Sequence, residues 1–173
     1  MGIFDRLKKV VKANKNANVK PQDERNIFNL KVGDIVSIED VDYEVKGVMK
    51  LNDSGWKWTE YKIKDARQTY WLSVEEDDEI EISLSHKVTA ITTEPPKKYE
   101  YEGVTYYMQE GSEAVVEDVS GKINVSKGDR VDYYEYSDSD DEKLLSIEIW
   151  DGQVEMSKGR WIETFEIEIF PGS

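Results

Sequence analysis

Two stretches, Glu79-Ile80-Glu81-Ile82-Ser83-Leu84 and Glu166-Ile167-Glu168-Ile169, alternate polar and apolar residues one by one. A helix would scatter such residues around its axis, whereas a strand sends them to opposite faces, one wet and one buried. From Asn29 onward the whole chain follows this pattern, in short β-branched and aromatic runs cut by Gly, Asp, Asn and Pro. That spacing predicts strands near Asp34–Ile38, Asp42–Met49, Trp56–Lys64, Thr69–Val74 and Glu79–Thr92. Beyond a break at Glu94-Pro95-Pro96 it predicts Tyr99–Tyr101, Val104–Gln109, Ala114–Glu117, Lys122–Val125, Arg130–Tyr136, Leu144–Trp150, Gln153–Met156 and Trp161–Phe170. Turns fall at Asp53-Ser54-Gly55, Glu102-Gly103, Lys127-Gly128-Asp129, Asp151-Gly152 and Lys158-Gly159, so each strand should join its sequence neighbour. The expected fold is mainly β, with antiparallel meanders forming either one compact unit or two fused small sandwich or barrel subdomains.

Phrases recur across the Pro-Pro break. Gly33-Asp34-Ile35-Val36 echoes Gly128-Asp129-Arg130-Val131, Leu72-Ser73-Val74-Glu75 echoes Leu145-Ser146-Ile147-Glu148, and Trp58-Thr59-Glu60 echoes Trp161-Ile162-Glu163. The last two change order between the halves, so a simple tandem repeat does not follow; two related meanders or two sheets sharing a core would both produce the echoes.

The first residues are of another kind. Ile3, Phe4, Leu7, Val10 and Val11 fall on one arc at helical spacing, and Lys8, Lys9, Lys12 and Lys15 fall opposite, with Arg6 beside them. Gly2 and Pro21 are suitable limits for such an amphipathic helix. Residues 1–20 hold six basic residues against Asp5, a balance of +5, although the 173-residue chain has a net charge of −14. The remainder therefore carries −19, and the expected organisation is a basic helix (1–20), a linker (21–28), a first β section (29–93) and a second (94–173). The apolar stripe suits a membrane surface, a groove on a helical partner, or docking on the chain's own acidic body. An N-terminal myristoyl anchor is not expected, because Arg6 stands where that pattern needs Ser or Thr.

Charge and composition narrow the function classes. A sequence pI near 4.6 opposes nucleic-acid binding, which needs clustered cations against phosphate. No apolar run approaches the ~20 residues needed to span a bilayer as a helix, and the opening lacks a secretory h-region. The absence of cysteine removes disulfides and thiolate metal ligands and fits a reducing compartment. The expected location is cytoplasmic, peripheral to the inner face of the membrane if the helix binds lipid.

Few residues carry recognisable chemistry. His86, the single histidine, sits in an alternating strand and reads as structural. The acidic runs Glu75–Glu79 and Asp138–Glu142 invite a hard cation, but the second has Lys143 where a calcium loop needs Gly, and both read as solvated turns. Glu60 and Glu163 beside tryptophans read as residues of a wet strand face or members of a hydrogen-bond network, with buried carboxylates of raised pKa suited to acid–base work as the alternative. Trp56, Trp58, Trp71, Trp150 and Trp161 either line a ligand face or fill a core. No catalytic residue, metal set or cofactor motif emerges, and a non-catalytic protein is expected.

Met1 to Phe4, the basic stretch after them, and Ala13, Asn14 and Asn16 resemble the first helix of the phage-shock protein A family of bacterial membrane-stress proteins. The long coiled-coil hairpin of that family does not follow. The strand region resembles the bacterial domain of unknown function numbered 4178. The residues carrying that likeness are Gly33-Asp34, Tyr43-Glu44-Val45-Lys46-Gly47, Trp58-Thr59-Glu60-Tyr61, Tyr70-Trp71-Leu72, Tyr99 to Tyr106, Gly159 and Trp161. Together the resemblances imply a bacterial envelope-stress accessory or adaptor protein. Its helix, through Ile3, Phe4, Arg6, Leu7, Lys8, Lys9, Val10, Val11, Lys12 and Lys15, would engage an anionic membrane surface or a phage-shock protein A-like partner. The alternative is a β-rich small-ligand-binding module with a functionally neutral N-terminus.

Overall fold

The computed structural model describes residues 24–90 and 94–172. The expected helix over 1–20, with all ten of its candidate binding residues, lies outside the described residues, as does the start of the linker. Eleven strands form the described part: β1 (Ile35–Ile38), β2 (Val41–Asp53), β3 (Trp56–Lys64), β4 (Thr69–Glu76), β5 (Ile80–Val88), β6 (Lys98–Tyr101), β7 (Val104–Gly121), β8 (Arg130–Ser137), β9 (Lys143–Trp150), β10 (Gln153–Trp161) and β11 (Ile167–Phe170). All pairings are antiparallel, in the order β11-β1-β2-β3-β4-β5-β10-β9-β8-β7-β6, and a further pairing of β2 with β7 closes the eight central strands into a barrel. Of the two arrangements expected, the single unit is the one formed, because β5 pairs with β10 and β2 with β7 across the Pro-Pro break.

Hairpin turns follow the predicted chemistry. Ser54-Gly55, Glu102-Gly103 and Asp151-Gly152 all have positive φ, as two-residue turns matching the twist of antiparallel strands require. Lys158-Gly159, expected as a turn, lies instead within β10, and Glu110–Glu113, left between two predicted strands, lies within the 18-residue β7. Both glycines mark close approach rather than chain reversal. A Cβ on Gly159 would meet the Leu84 carbonyl oxygen at 2.3 Å, and one on Gly111 would meet the Tyr134 ring at 2.8 Å. Lys122–Val125, expected as a strand, is not one. Its Ile123 and Val125 pack on barrel residues, and its Lys122 amide bonds the Lys46 carbonyl outside any ladder. Trp161–Phe170 is likewise divided, between the end of β10, a 3-10 turn at Thr164–Glu166, and β11.

The recurring Gly-Asp phrase builds the same device twice. Asp34 accepts the Lys31 amide at 2.7 Å and Asp129 the Ser126 amide at 2.8 Å. Gly33 and Gly128, at φ 96° and 95°, then bond a neighbouring strand through Val45 and Val116. Asp34 is buried and does more, accepting the Gly172 amide at 2.8 Å and pairing with Arg25 at 2.8 Å. One carboxylate thus ties both ends of the described chain to the start of β1.

The apolar residues of the barrel wall point mostly outward. Tyr61, Ile63, Leu72, Val74, Ile82 and Leu84 on β3–β5 are covered by Ile27, Leu30, β1 and residues of β11. Tyr136, Leu145, Ile147 and Met156 on β8–β10 are covered by Tyr106 of β7, with Tyr99 and Tyr101 of β6 packed against them. A third cluster, Met49, Leu51, Ala114, Val116, Val131 and Tyr133, gathers Trp58, Trp71 and Trp150. The flanking strands thus bury the outside of the barrel, and the alternating polar residues are left to face its lumen.

Candidate functional site

Period-two alternation places Trp58 and Glu60 of β3, Trp71, Ser73 and Glu75 of β4, and Glu81, Ser83 and Ser85 of β5 on the same side of the wall. From the other half of the barrel come Tyr133 and Glu135 of β8, Ser146, Glu148 and Trp150 of β9, and Ser157 of β10. Together they line a cavity of about 1660 Å³. All five tryptophans reach it, and Trp58, Trp71 and Trp150 also pack against the third apolar cluster, as the core-filling expectation has it for those three, while Trp56 is exposed. Trp58 meets Tyr133 edge-on, with ring centroids 5.3 Å apart. Ile123, Asn124 and Val125, between β7 and β8, complete part of the lining.

The carboxylates of this lumen do not behave as surface carboxylates. Burial and the neighbouring Glu135 charge push Glu60 up to about 7. Burial pushes Glu148 up to about 8, with repulsion from Glu60 and Glu155 adding to it. Glu135 is the most exposed of the group, and its rise to about 7 comes from desolvation inside the barrel mouth together with the Glu148, Glu110 and Glu81 charges; Glu75 rises to about 8 through burial and the Glu81, Glu110 and Glu135 charges. Glu81 is raised as well, chiefly by burial. Each of these groups is drawn partly out of solvent and stands among other carboxylates, which favours the neutral form.

Glu60 and Glu148 stand on strands four places apart around an eight-strand ring, opposite one another, yet their charges interact. Each has a tryptophan two residues away on the same face. The Trp58 indole N–H donates to Glu60 Oε1 at 3.2 Å, and the Trp150 side chain hydrogen-bonds Glu148. Oε1 of Glu75 is shielded from solvent and has no hydrogen-bond partner among the described residues, and the same holds for the Trp161 indole nitrogen.

Glu60 combines two of its readings, since it is half-buried with a raised pKa and also accepts the Trp58 indole N–H. The acidic run at Glu75–Glu79 is corrected at its first member, which belongs to β4 and faces the lumen, while Glu76, Asp77 and Asp78 are exposed. The second run caps its own turn: Asp138 Oδ1 accepts the amides of Glu142 and Lys143 at 2.9 and 3.1 Å, and Ser137 donates to Asp141 at 2.6 Å. Among the described residues no group of three potential ligands is arranged to hold a metal ion. His86 packs edge-on against Tyr70, and burial pushes its imidazole below the ordinary value. It lines a second cavity of about 410 Å³ with Lys158 and Arg160, whose charges are met by Glu102 at 2.8 Å and Glu39 at 3.1 Å.

Glu81, Glu135 and Glu148 were not singled out from sequence. The signal for Glu81 and Glu148 is the composition of their face: Glu81-x-Ser83-x-Ser85 and Ser146-x-Glu148-x-Trp150, like Trp71-x-Ser73-x-Glu75, set glutamate among Trp and Ser rather than among the lysines and threonines usual on an open sheet's wet face.

Comparison with known proteins adds kinship without chemistry. An uncharacterised protein of Mycobacterium tuberculosis (strain H37Rv) is 28% identical over 146 residues, covering 80% of this chain and 70% of that one. An uncharacterised protein of Aquifex aeolicus is 26% identical over 179 residues, covering 97% of each. No solved structure gives a significant match. The family model described as "Domain of unknown function (DUF4178)" matches residues 31–164, a span that holds the closed barrel and the carboxylates of its lumen, and the chain belongs to that family.

Proposed function

We propose that this chain is a non-catalytic β-barrel module that takes a small ligand into its lumen. The observation that carries the reading is the cavity itself: about 1660 Å³, walled by tryptophans and carboxylates rather than filled by apolar side chains. Ligand sites are commonly ~300–1000 Å³ with aromatic walls and a few convergent polar groups. A barrel of eight strands is just wide enough either to be filled by its own side chains or to hold one small ligand. Here two of the three apolar clusters lie on the outer faces and only the third, with Trp58, Trp71 and Trp150, lies along the lumen, which supports the second outcome.

The test is a small-molecule screen by thermal shift on the full chain, with a Ser146→Trp variant that fills the lumen from β9. Hits are expected to raise the melting temperature of the natural chain and to lose that effect in the variant. Hits that stabilise both proteins equally bind elsewhere and would refute the reading. The adaptor role in envelope stress expected from residues 1–20 rests on sequence resemblance, and the barrel contributes nothing to it.

A further inference from the structure

We propose that the ligand of the lumen is an organic cation, an ammonium or amidinium group on an apolar stem, held between Trp58-Glu60 on β3 and Glu148-Trp150 on β9. The inference rests on the lumen-binding reading and adds the chemical class.

Charge is the first argument. The cavity wall and its exposed rim together contain twelve Asp and Glu residues against three Lys and Arg, so an anion would approach and enter against charge of like sign. The three cations are already engaged: Lys87 with Glu155 at 2.9 Å, Lys62 with the Lys122 carbonyl at 2.8 Å, and Arg130 with Glu113. Glu60, Glu75, Glu81, Glu135 and Glu148 form no ion pair among the described residues. Lys87 offsets Glu148 in part, and the five carboxylates together still leave a deficit of positive charge that an entering cation would fill.

Shape and surface are the second argument. The carboxylates are spread over β3, β4, β5, β8 and β9, and no three ligating groups among the described residues are placed to hold a bare metal ion. A larger, diffuse cation fits that spread. Trp58, Trp71, Tyr133 and Trp150 supply π-faces within the same space, the surface that recognises alkylammonium groups. Met49 and Val131 beside them offer apolar contact to a stem. The solvent-shielded Oε1 of Glu75, with no hydrogen-bond partner among the described residues, is an acceptor free for an N–H donor.

The experiment is calorimetric titration of the full chain at about pH 8.5, where Glu60 and Glu148 are mostly ionised, with hexyltrimethylammonium, 1,6-diaminohexane, 1-hexanol and hexanoate, and with tryptophan fluorescence as a second readout. The two cations are expected to bind at least about tenfold more tightly than the alcohol, and hexanoate more weakly still. The pair Glu60→Gln and Glu148→Gln, whose side chains copy the neutral carboxyl groups, should lower cation affinity about tenfold or more while leaving 1-hexanol unchanged. Trp58→Phe should lower cation affinity by a smaller factor. If the alcohol binds as well as the cations and Ser146→Trp abolishes it, the cation assignment falls while lumen binding stands. Equal cation affinity in the natural chain and the double Gln variant also overturns the assignment. Failure of all four probes to bind overturns the cation assignment, whereas lumen binding is judged by its own screen.

Discussion

Replacing Glu148 with Gln should make the protein more stable at alkaline pH and leave it nearly unchanged at acid pH. Glu148 titrates at about 8 in the fold against an ordinary value of 4.5. Between those values the folded chain holds a proton there that the unfolded chain has released, so folding stability falls as pH rises through the interval. At ~1.4 kcal/mol for each unit of pH, the interval sets a ceiling of ~5 kcal/mol on the cost of ionising Glu148 in the fold. Glu148 is only partly buried, and the cavity has room for water. Screening there, with Glu60 sharing the same repulsion, brings the expected cost to ~1–2 kcal/mol. A Gln side chain never ionises and should recover that amount at about pH 8.5, with little change at about pH 5. Glu60→Gln should act likewise over a lower range, since Glu60 titrates at about 7. The double variant should gain less than the sum, because each substitution removes part of the repulsion felt by the other. His86 works with the opposite sign: its pKa is lowered in the fold, so its contribution grows as pH rises and is complete above ~6.5. The window from about pH 7 to 8.5 therefore isolates the glutamates. The assay is urea denaturation followed by tryptophan fluorescence across that range. Stability that does not fall with pH there, or a Glu148→Gln protein less stable than the natural one at about pH 8.5, would refute the reasoning.

Three further outcomes are expected. Asp34→Ala removes the acceptor of the Lys31 and Gly172 amides and the partner of Arg25. It should cost ~3–5 kcal/mol in urea denaturation, with Asp34→Asn milder because it keeps an acceptor oxygen. Gly111→Ala drives a Cβ into the Tyr134 ring at 2.8 Å and should cost ~1–3 kcal/mol, and much of that should be recovered when Tyr134 is also shortened to Ala; the double-mutant cycle measures the recovery. For the N-terminal segment, the full chain should cosediment with vesicles containing anionic lipid and a chain of residues 21–173 should not; equal sedimentation of the two would remove the lipid role of residues 1–20.

Much of the β architecture was legible locally. Trp56–Lys64 is the predicted strand to the residue, and the positive φ angles at Ser54-Gly55 and Asp151-Gly152 follow from the turn residues themselves. Strand propensity, period-two alternation and turn chemistry are short-range effects, each complete within a few residues. Where such cues failed, long-range contact was the cause. Gly111 and Gly159 look like turn residues but sit in strands, because the Tyr134 ring and the Leu84 carbonyl approach too closely for any side chain. Ile123 and Val125 look like strand residues but cap apolar cluster residues of the barrel.

The site illustrates the same division. Alternation in the sequence determines that Glu60 shares a face with Trp58, and Glu148 with Trp150. Which of the two faces is inside is not encoded by that period. It is decided by β1, β11 and the chain around Ile27 and Leu30 covering one outer wall, and by β6 with its neighbours covering the other. Closure of β2 on β7 then brings Glu60 and Glu148 to face each other across one lumen, although most of the chain's β structure separates them in sequence. The pKa values follow from that meeting, because repulsion and desolvation depend on distance in space and on enclosed volume. By itself the sequence determined the strands, the turns and the acidic charge; only the tertiary structure turned the polar faces inward and made them a site.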